Sequence, residues 1–589
     1  YRIGFSCAAL LSTLAACQRD NDVKVKPSAL GETTEADIVS SESASGLSEE
    51  KESVMLDFNW VHDPATLDPA FAFEGASVGI ISELFIGLTR LDPENGDVIP
   101  YLATSWEAGE DDDGNQTWTF HLRDDVAWVK HDTETSVTSP EKDELKNPLF
   151  VNAHDVVFGV KRAINPATAS GYAHVLYSIK NAEAVNSGKA GITLEQVGVN
   201  ALDDRTVQFT MEHPAGFFPA ITALWVAYPV PQWAIEEHGD FWADAGRIVT
   251  SGPYVLDSWI HGAELNMVKN PYWLNADSVQ IDRIEGVMIE DATLSFYMYE
   301  NGDLDIIAWN YPAYRAMKGD PALASEFRSW PRLMTDGLGF ANNKYPFDDP
   351  RVRRAFTQAF DRQSYIDYYL QGLGFPATTF APPGVFGAPE PGSVGLPYNP
   401  QAAHSSLQEY LVEKGMSLEQ FNDLNITLMV PAGDFMFAAA QVAQQMWSDA
   451  LGVEVQIQSE EYGVYLQTID KSTHVDAAPH IFVITWTADY PDENNFVYEV
   501  FHAEEGFNWV RRNCLDPICQ ETTINEFDDL TMRARRAQDP EERIRLYREA
   551  ERILIEVEVA FAPVLHAEAF VFMKPWLSRP FSPLGVANF

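Results

Sequence analysis

The sequence predicts an α/β fold built from more than one domain, and three observations carry that expectation. At 589 residues with 46% hydrophobic content, the chain is too long for one core and points to two or three domains. In its last third, strand-like and helix-like runs alternate: strand "NITLMV", helix "FAAAQVAQQMWSDAL", strand "VEVQIQ", a helix near "YLQTID", strand "HIFVITW". Strands alternating with helices argue for an α/β lobe with a largely parallel sheet. Upstream, strands and helices are mixed throughout, with no fixed-period repeat and no heptad seam.

The elements follow in chain order. "IGFSCAALLSTLAAC" is an apolar run too short to span a membrane and ends in small residues, so it reads as an export signal. "LAAC", Leu14 to Cys17, resembles the lipobox of bacterial lipoproteins, which implies that residues 1–17 are signal and lipobox, that the signal is removed, and that Cys17 becomes the lipidated first residue, anchored to a membrane. An ordinary signal with an incidental Cys17 is the other reading. The missing initiator Met and basic n-region point to a start further upstream. Residues 18–53 are rich in Ser, Glu and Asp and almost free of bulky apolar groups, so they cannot bury a core and are expected to form a disordered tether. No later stretch reaches 18 consecutive apolar residues.

From Val54 the composition is that of a folded protein. "TWTFHLRDDVAW" alternates apolar and polar residues after the turn signal "EDDDGN", as a hairpin strand does. "NAHDVVFGVKRAI" predicts a helix with Asn152 as its N-cap. "DRTVQFTME" and "GPYVLDSWIHGAELNMVKN" read as strands, and "DDPRVRRAFTQAFDRQSYIDYYL" as a helix with Ala355, Phe356, Ala359, Phe360 and Ile366 on one face. A Pro/Gly-rich loop, "PATTFAPPGVFGAPEPGSVGLPYNP", follows. Near the end, "EFDDLTMRARRAQDPEERIRLYREAERILIEV" predicts two helices broken at Asp539-Pro540.

Charge and cysteines narrow the function. Forty basic against 87 acidic residues give a net charge of −47, which argues against nucleic acid and anionic partners. A solvated, salt-adapted surface and recruitment of cationic ligands both remain open. Of four cysteines, Cys7 lies in the signal and Cys17 in the lipobox, leaving Cys514 and Cys519 in "CLDPIC". In an exported protein that pair favours a local disulfide, worth roughly 2 kcal/mol, and two sulfurs without a nearby His or Cys make a poor zinc site. No G-x-S-x-G elbow, H-E-x-x-H or P-loop occurs, and the thirteen His are scattered, so neither catalysis nor a metal or other cofactor has sequence support.

One carboxylate stands out. Asp489 in "ITWTADYPDENNF" sits just beyond the apolar run "HIFVIT", where ligands of α/β sheets bind, past the carboxyl end of a strand. Alone, an acid in such a stretch also suits a turn residue bonded to its own backbone. "ATLDPAFAFEGASVGIISELFIGLTRLD", "VIPYLATSWE", "GPYVLDSW", "NPYW", "DDPRVRRAFTQAFDR" and "WTADYPDENNF", in this order, resemble the extracytoplasmic solute-binding proteins of peptide ABC importers (family 5), closest to the oligopeptide branch. The resemblance spans roughly residues 55 to 585.

The resemblance implies a bilobal periplasmic-binding-protein-like fold with a hinge. Its first lobe covers 54–330 with a small extra domain inserted at about 87–215, its second lobe 331–559, and residues 560–589 return to complete the first. It implies a monomeric receptor, outside the cytoplasm, that closes on an oligopeptide and passes it to the membrane permease of an ABC transporter. In the family the acid of the "ADY" motif binds the ligand's α-ammonium group, here Asp489. By the same matching, Glu74, Gly75 and Ala76 lie along one side of the peptide and Trp486, Thr487 and Ala488 along the other. Tyr172, Trp309 and Tyr462 line side-chain pockets, with core packing as the competing reading of each aromatic.

Relatives meet the ligand's carboxylate with basic side chains. Lys344 keeps one, whereas Met436, Ile469 and Val483 stand where others occur, which implies a changed length preference or a ligand modified at that end. A murein or signalling peptide, an opine or a metal chelate are alternative solutes, and a surface sensor without transport is an alternative role. Asp489 favours amine-bearing ligands over metal complexes.

Overall fold

The computed structural model describes residues 53–504, 506–578 and 581; the signal, Cys17 and nearly all of the tether lie outside this range. The described chain is mixed α/β, organised on an eleven-stranded sheet. At its centre run two long antiparallel strands, Phe327–Phe340 and Phe561–Met573, of 14 and 13 residues. Typical strands have about five or six residues, so these two reach across both halves of the molecule. Near one end, Phe561–Met573 pairs with Ile306–Ala308, next to Met55–Asn59 and Arg283–Val287. Near the other, Phe327–Phe340 pairs with Ile481–Thr487, next to Ile426–Pro431 and Val455–Glu460.

The sequence "FAPVLHAEAFVFM" suits this role because it is apolar on both faces, and twelve of its thirteen residues are buried. The register between the long strands shifts between Pro331 and Thr335 and again between Asp336 and Gly337. A Cβ on Gly337 would lie 2.6 Å from the Ala562 carbonyl oxygen and 2.2 Å from the Phe561 ring, so only glycine lets the strands approach there.

Three apolar cores flank this spine. The first gathers Leu56, Ile81, Phe120, Trp128 and Phe218, and also takes in Tyr490 from far along the chain. The second holds Phe340, Phe356, Trp447 and Ile426, and the third Phe380, Phe496, Phe501, Tyr547 and Phe561. The expected hairpin forms from Ala103–Glu110 and Gln116–Leu122, in a four-stranded sheet with Thr206–Thr210 and Val199–Asp203. "GPYVLDSWIHGAELNMVKN" folds as the antiparallel pair Tyr254–Ile260 and Glu264–Lys269.

Helix Ala153–Ile164 starts at Asn152, whose Oδ1 accepts from the His154 N–H at 2.8 Å while the Asp155 carboxylate accepts from the Asn152 N–H at 3.0 Å. Such a reciprocal cap satisfies two amides that the first turn leaves open. Helix Pro350–Gln358 is capped by Asp349, and Ala355, Phe356, Ala359, Phe360 and Ile366 are all buried. Asp539 caps helix Pro540–Arg552, which follows Glu526–Arg536. Cys514 and Cys519 are joined by a disulfide.

The sheet differs from a largely parallel one. Only Ile426–Pro431, Val455–Glu460 and Ile481–Thr487 form the parallel block expected from the last third, and the long strands beside it run antiparallel. Phe327–Phe340 runs opposite to the block, and the returning strand Phe561–Met573, antiparallel to Phe327–Phe340 in turn, runs in the block's own direction. All three parallel strands end on one edge, where helices Asp434–Leu451 and Tyr462–Ile469 begin and where Asp489 lies two residues past Thr487.

Candidate functional site

Asp489 sits where the two halves of the molecule meet. Its Oδ1 accepts a 2.7 Å hydrogen bond from the Tyr172 hydroxyl, 317 residues away in sequence. Its Oδ2 accepts from the side-chain amide of Asn495 at 2.9 Å, and its own N–H donates to the side-chain Oδ1 of Asn495 at 2.9 Å. Asn495 is fully buried and also receives Trp486 Nε1 at 3.3 Å and donates to Glu499 at 2.7 Å. One amide thus fixes the rotamer of Asp489, Trp486 and Glu499 together, which pre-organises the carboxylate.

The donors to Asp489 are neutral, and it forms no ion pair among the described residues. Burial raises its pKa, only partly offset by the bonds from Asn495 and Tyr172 and the field of His174. Burial lowers the pKa of His174, so at neutral pH that ring supplies no counter-charge. Glu499, behind Asn495, is pushed up to about 7 by burial, with the field of Asp489 adding to it. The site therefore holds a carboxylate that lacks a cation.

Aromatic rings enclose it. Tyr172 packs on Trp225 and His174 at centroid distances of 4.8 and 5.1 Å. Phe507 bridges His174 at 5.8 Å and Trp486 at 5.7 Å, and stacks on Trp509 at 4.8 Å. Trp225 donates to the Ala72 carbonyl at 2.8 Å, which draws in the segment before Glu74. A Cβ on Gly159 would come within 2.3 Å of the Tyr228 carbonyl, so this glycine lets helix Ala153–Ile164 lie against the turn that carries Trp225.

The residues singled out from sequence separate into groups. Asp489, Trp486 and Tyr172 come together directly. Ala488 donates its N–H to the Leu333 carbonyl at 2.8 Å, and Thr487 pairs with Met334, so both belong to the sheet edge. The Glu74 carboxylate caps helix Gly75–Leu84, accepting from the N–H groups of Ala76 and Ser77 at 2.6 and 2.9 Å, while Gly75 is exposed. Trp309 is 40% exposed and carries the Arg332 guanidinium over its ring at 5.4 Å. Tyr462 begins the helix at the same edge and is 62% exposed.

Lys344 is not brought to this cluster. Phe340 pairs with Ile481 and Met334 with Thr487, so Lys344 and Asp489 leave opposite ends of the strand pair, roughly 20 Å apart along it. All three Lys344 N–H donors go to the carbonyls of Val475, Asp476 and Ala478 at 2.8, 3.0 and 2.6 Å. Of the three positions lacking a basic residue, Met436 and Val483 line one cavity and Ile469 is buried in the third core.

Asn495, Trp225, His174 and Phe507 were not found from sequence. Asn495 lies within the quoted "ADYPDENNF", yet an Asn there reads as a turn residue until its burial is known.

Two halves joined by long shared strands are the architecture of a bilobal, periplasmic-binding-protein-like fold, and the comparisons agree. The profile "Bacterial extracellular solute-binding proteins, family 5 Middle" matches residues 97–508, and the chain belongs to this family. It is 29% identical over 544 residues to the oligopeptide-binding protein OppA of Bacillus subtilis, covering 88% of both chains. It is likewise 29% identical over 522 residues to the probable deoxycholate-binding periplasmic protein YgiS of Escherichia coli, covering 88% of this chain and 89% of that one. The solved structure of the Escherichia coli murein tripeptide binding protein MppA superposes with a TM-score of 0.72 at 25% identity, over 91% of this chain and 97% of that one.

The Tyr172 hydroxyl ties the two halves at Asp489, so Tyr172→Phe is expected to weaken ligand binding about fivefold. Titration calorimetry of the variant checks this, with circular dichroism expected to be unchanged.

Proposed function

We propose that the chain is the receptor of an ABC importer that captures oligopeptides between two lobes by gripping their α-ammonium group on Asp489. The observation that carries this reading is the half-buried Asp489 carboxylate at the junction, hydrogen-bonded by neutral donors only. A carboxylate raised in pKa by burial gains most from a ligand that brings a cation. Every α-peptide offers that amine, so the anchor fixes register without reading side chains. Main-chain bonding along residues 74–76 and 486–488 would add sequence-tolerant affinity.

The lobes are proposed at 54–330 and 331–559, with the insertion at about 87–215 and the return segment at 560–589. A lipid on Cys17 would hold the monomeric receptor outside the cytoplasm, beside the permease. Among the described residues, no helix is long and apolar enough to cross a membrane.

An apolar solute is the second reading. It draws on a cavity of about 320 Å3 walled by residues such as Met334, Leu428 and Val483, and on the deoxycholate in one relative's name. An anionic amphiphile would meet Asp336 and Glu568 in that cavity and leave Asp489 without a cation, so the peptide reading leads.

Native mass spectrometry of protein purified from its own host tests the choice. Copurified masses that resolve into peptides with free amino termini are expected, and a single solute lacking an amine would overturn the reading.

A further inference from the structure

The cavity beneath Trp309 is built from two kinds of wall. Met334, Leu428, Met436 and Val483 form an apolar lining suited to methylene groups. Tyr311, Phe435 and Tyr365 form the aromatic wall, and Tyr369, outside the lining, joins Phe435 to Tyr365, with successive ring centroids from Tyr311 5.4, 5.3 and 5.2 Å apart. Into this space faces Asp336, whose Oδ1 accepts from the Thr485 hydroxyl at 2.6 Å.

The half-buried Asp336 differs from three buried aspartates of the chain. Asp68 pairs with Arg162, Asp492 with Arg543 and Asp528 with Arg512, at 2.6, 2.8 and 3.1 Å. Asp336, like Asp489, takes side-chain hydrogen bonds from neutral donors only and forms no ion pair among the described residues. Burial raises its pKa, as it does for Asp489, and its field contributes to the raised pKa values of Tyr311 and Tyr365 behind burial. The cation whose field reaches it, Arg332, is drawn aside over the Trp309 ring and does not line the cavity. Glu568 adds a second acid to the lining, which contains no basic residue.

Resting on the peptide-receptor reading, the geometry points to this cavity as a second cation-binding subsite, which takes a Lys or Arg side chain of the ligand with its alkyl stem on the apolar wall and its charge on Asp336. A cation among aromatic faces is attracted by their quadrupoles, and more strongly where water is excluded. Position along the ligand follows from register. Asp336 pairs with Thr485, four residues before Asp489, so the two carboxylates lie about 13 Å apart along the strand. An extended ligand advances about 3.3–3.6 Å per residue, which places its fourth or fifth residue over the cavity. Retained oligopeptides would then share a basic residue at one fixed distance from the amino terminus.

Titration calorimetry on the intact protein tests this with peptide amides of five and six residues, all alanine except for lysine, norleucine or glutamate at position four or five. Norleucine keeps the stem and lacks the charge. The wild type is expected to bind the lysine peptide at one of the two positions about tenfold more tightly than its norleucine counterpart, and the glutamate peptide weakest. Asp336→Asn should erase the lysine preference while leaving the norleucine affinity unchanged, with a thermal melt confirming the fold. Equal affinity for lysine and norleucine at both positions in the wild type would overturn the subsite and leave the peptide reading standing. Failure of every peptide to bind would overturn both.

Discussion

Asp489→Ala should raise the dissociation constant of a short peptide with a free amino terminus by roughly 100-fold, and leave an N-acetylated peptide almost unaffected. At an effective dielectric of about 20, opposite charges about 4 Å apart attract by roughly 4 kcal/mol. Desolvating the ligand's amine takes back part of this, and a net loss near 3 kcal/mol corresponds to about two decades in affinity. The alanine cannot relay the Tyr172 and Asn495 hydrogen bonds, so those groups turn to water or to each other.

An acetylated peptide has no charge to lose and meets a site that no longer demands one, so its affinities in the two proteins should coincide. The contrast between the two ligands identifies the cause: general damage to the cleft would weaken both. The pH dependence has a definite sign. Burial raises the pKa of Asp489 in the empty site, and only the ionised form grips a cation. Affinity should therefore fall on acidification from a higher pH than an ordinary carboxylate at about 3.9 would give, and Asp489→Ala should flatten that slope. Calorimetry of both peptides across pH measures both effects.

What could be read from the sequence divides along a physical line. Local signals were legible because their causes are local: the Asn152 cap, the break at Asp539-Pro540 and the alternation of "TWTFHL" each depend on a few neighbouring residues. Family membership was legible because the motifs stand in order over most of the chain. The parallel block of three strands was legible from its βα alternation, but the antiparallel strand Phe327–Phe340 beside it was not, because "FRSWPRLMTDGLGF" carries no mark of the direction in which it is paired.

At the site, Asp489 could be singled out by its place after an apolar strand. Its partners could not, since Tyr172 is 317 positions away and Asn495 differs from a turn residue only in being buried. Lys344 shows the converse, a residue type suited to a role whose donors are all engaged elsewhere.

Arg512→Ala is expected to cost about 3–5 kcal/mol of stability, the usual range for removing one member of a buried ion pair. The guanidinium is 1% exposed and every face of it is occupied. Nε and Nη2 reach Glu558 at 2.6 and 3.0 Å, Nη1 donates to Asp528 at 3.1 Å and to the Phe501 carbonyl at 2.7 Å, and the Phe527 ring lies 4.0 Å from its carbon. Burial alone would lower its pKa, but Glu558 and Asp528 more than offset this and hold it raised. The cluster joins three pieces of chain: the segment beside the Cys514–Cys519 loop, the start of helix Glu526–Arg536, and the approach to the long strand Phe561–Met573.

Removing the cation leaves the buried Asp528 and the half-buried Glu558 without their counter-charge. Urea denaturation at pH 7 measures the loss. A loss below about 1 kcal/mol would mean that water reaches Asp528 and Glu558 once the side chain is gone. Because the cluster stands apart from Asp489, peptide affinity of the folded fraction should stay at the wild-type value.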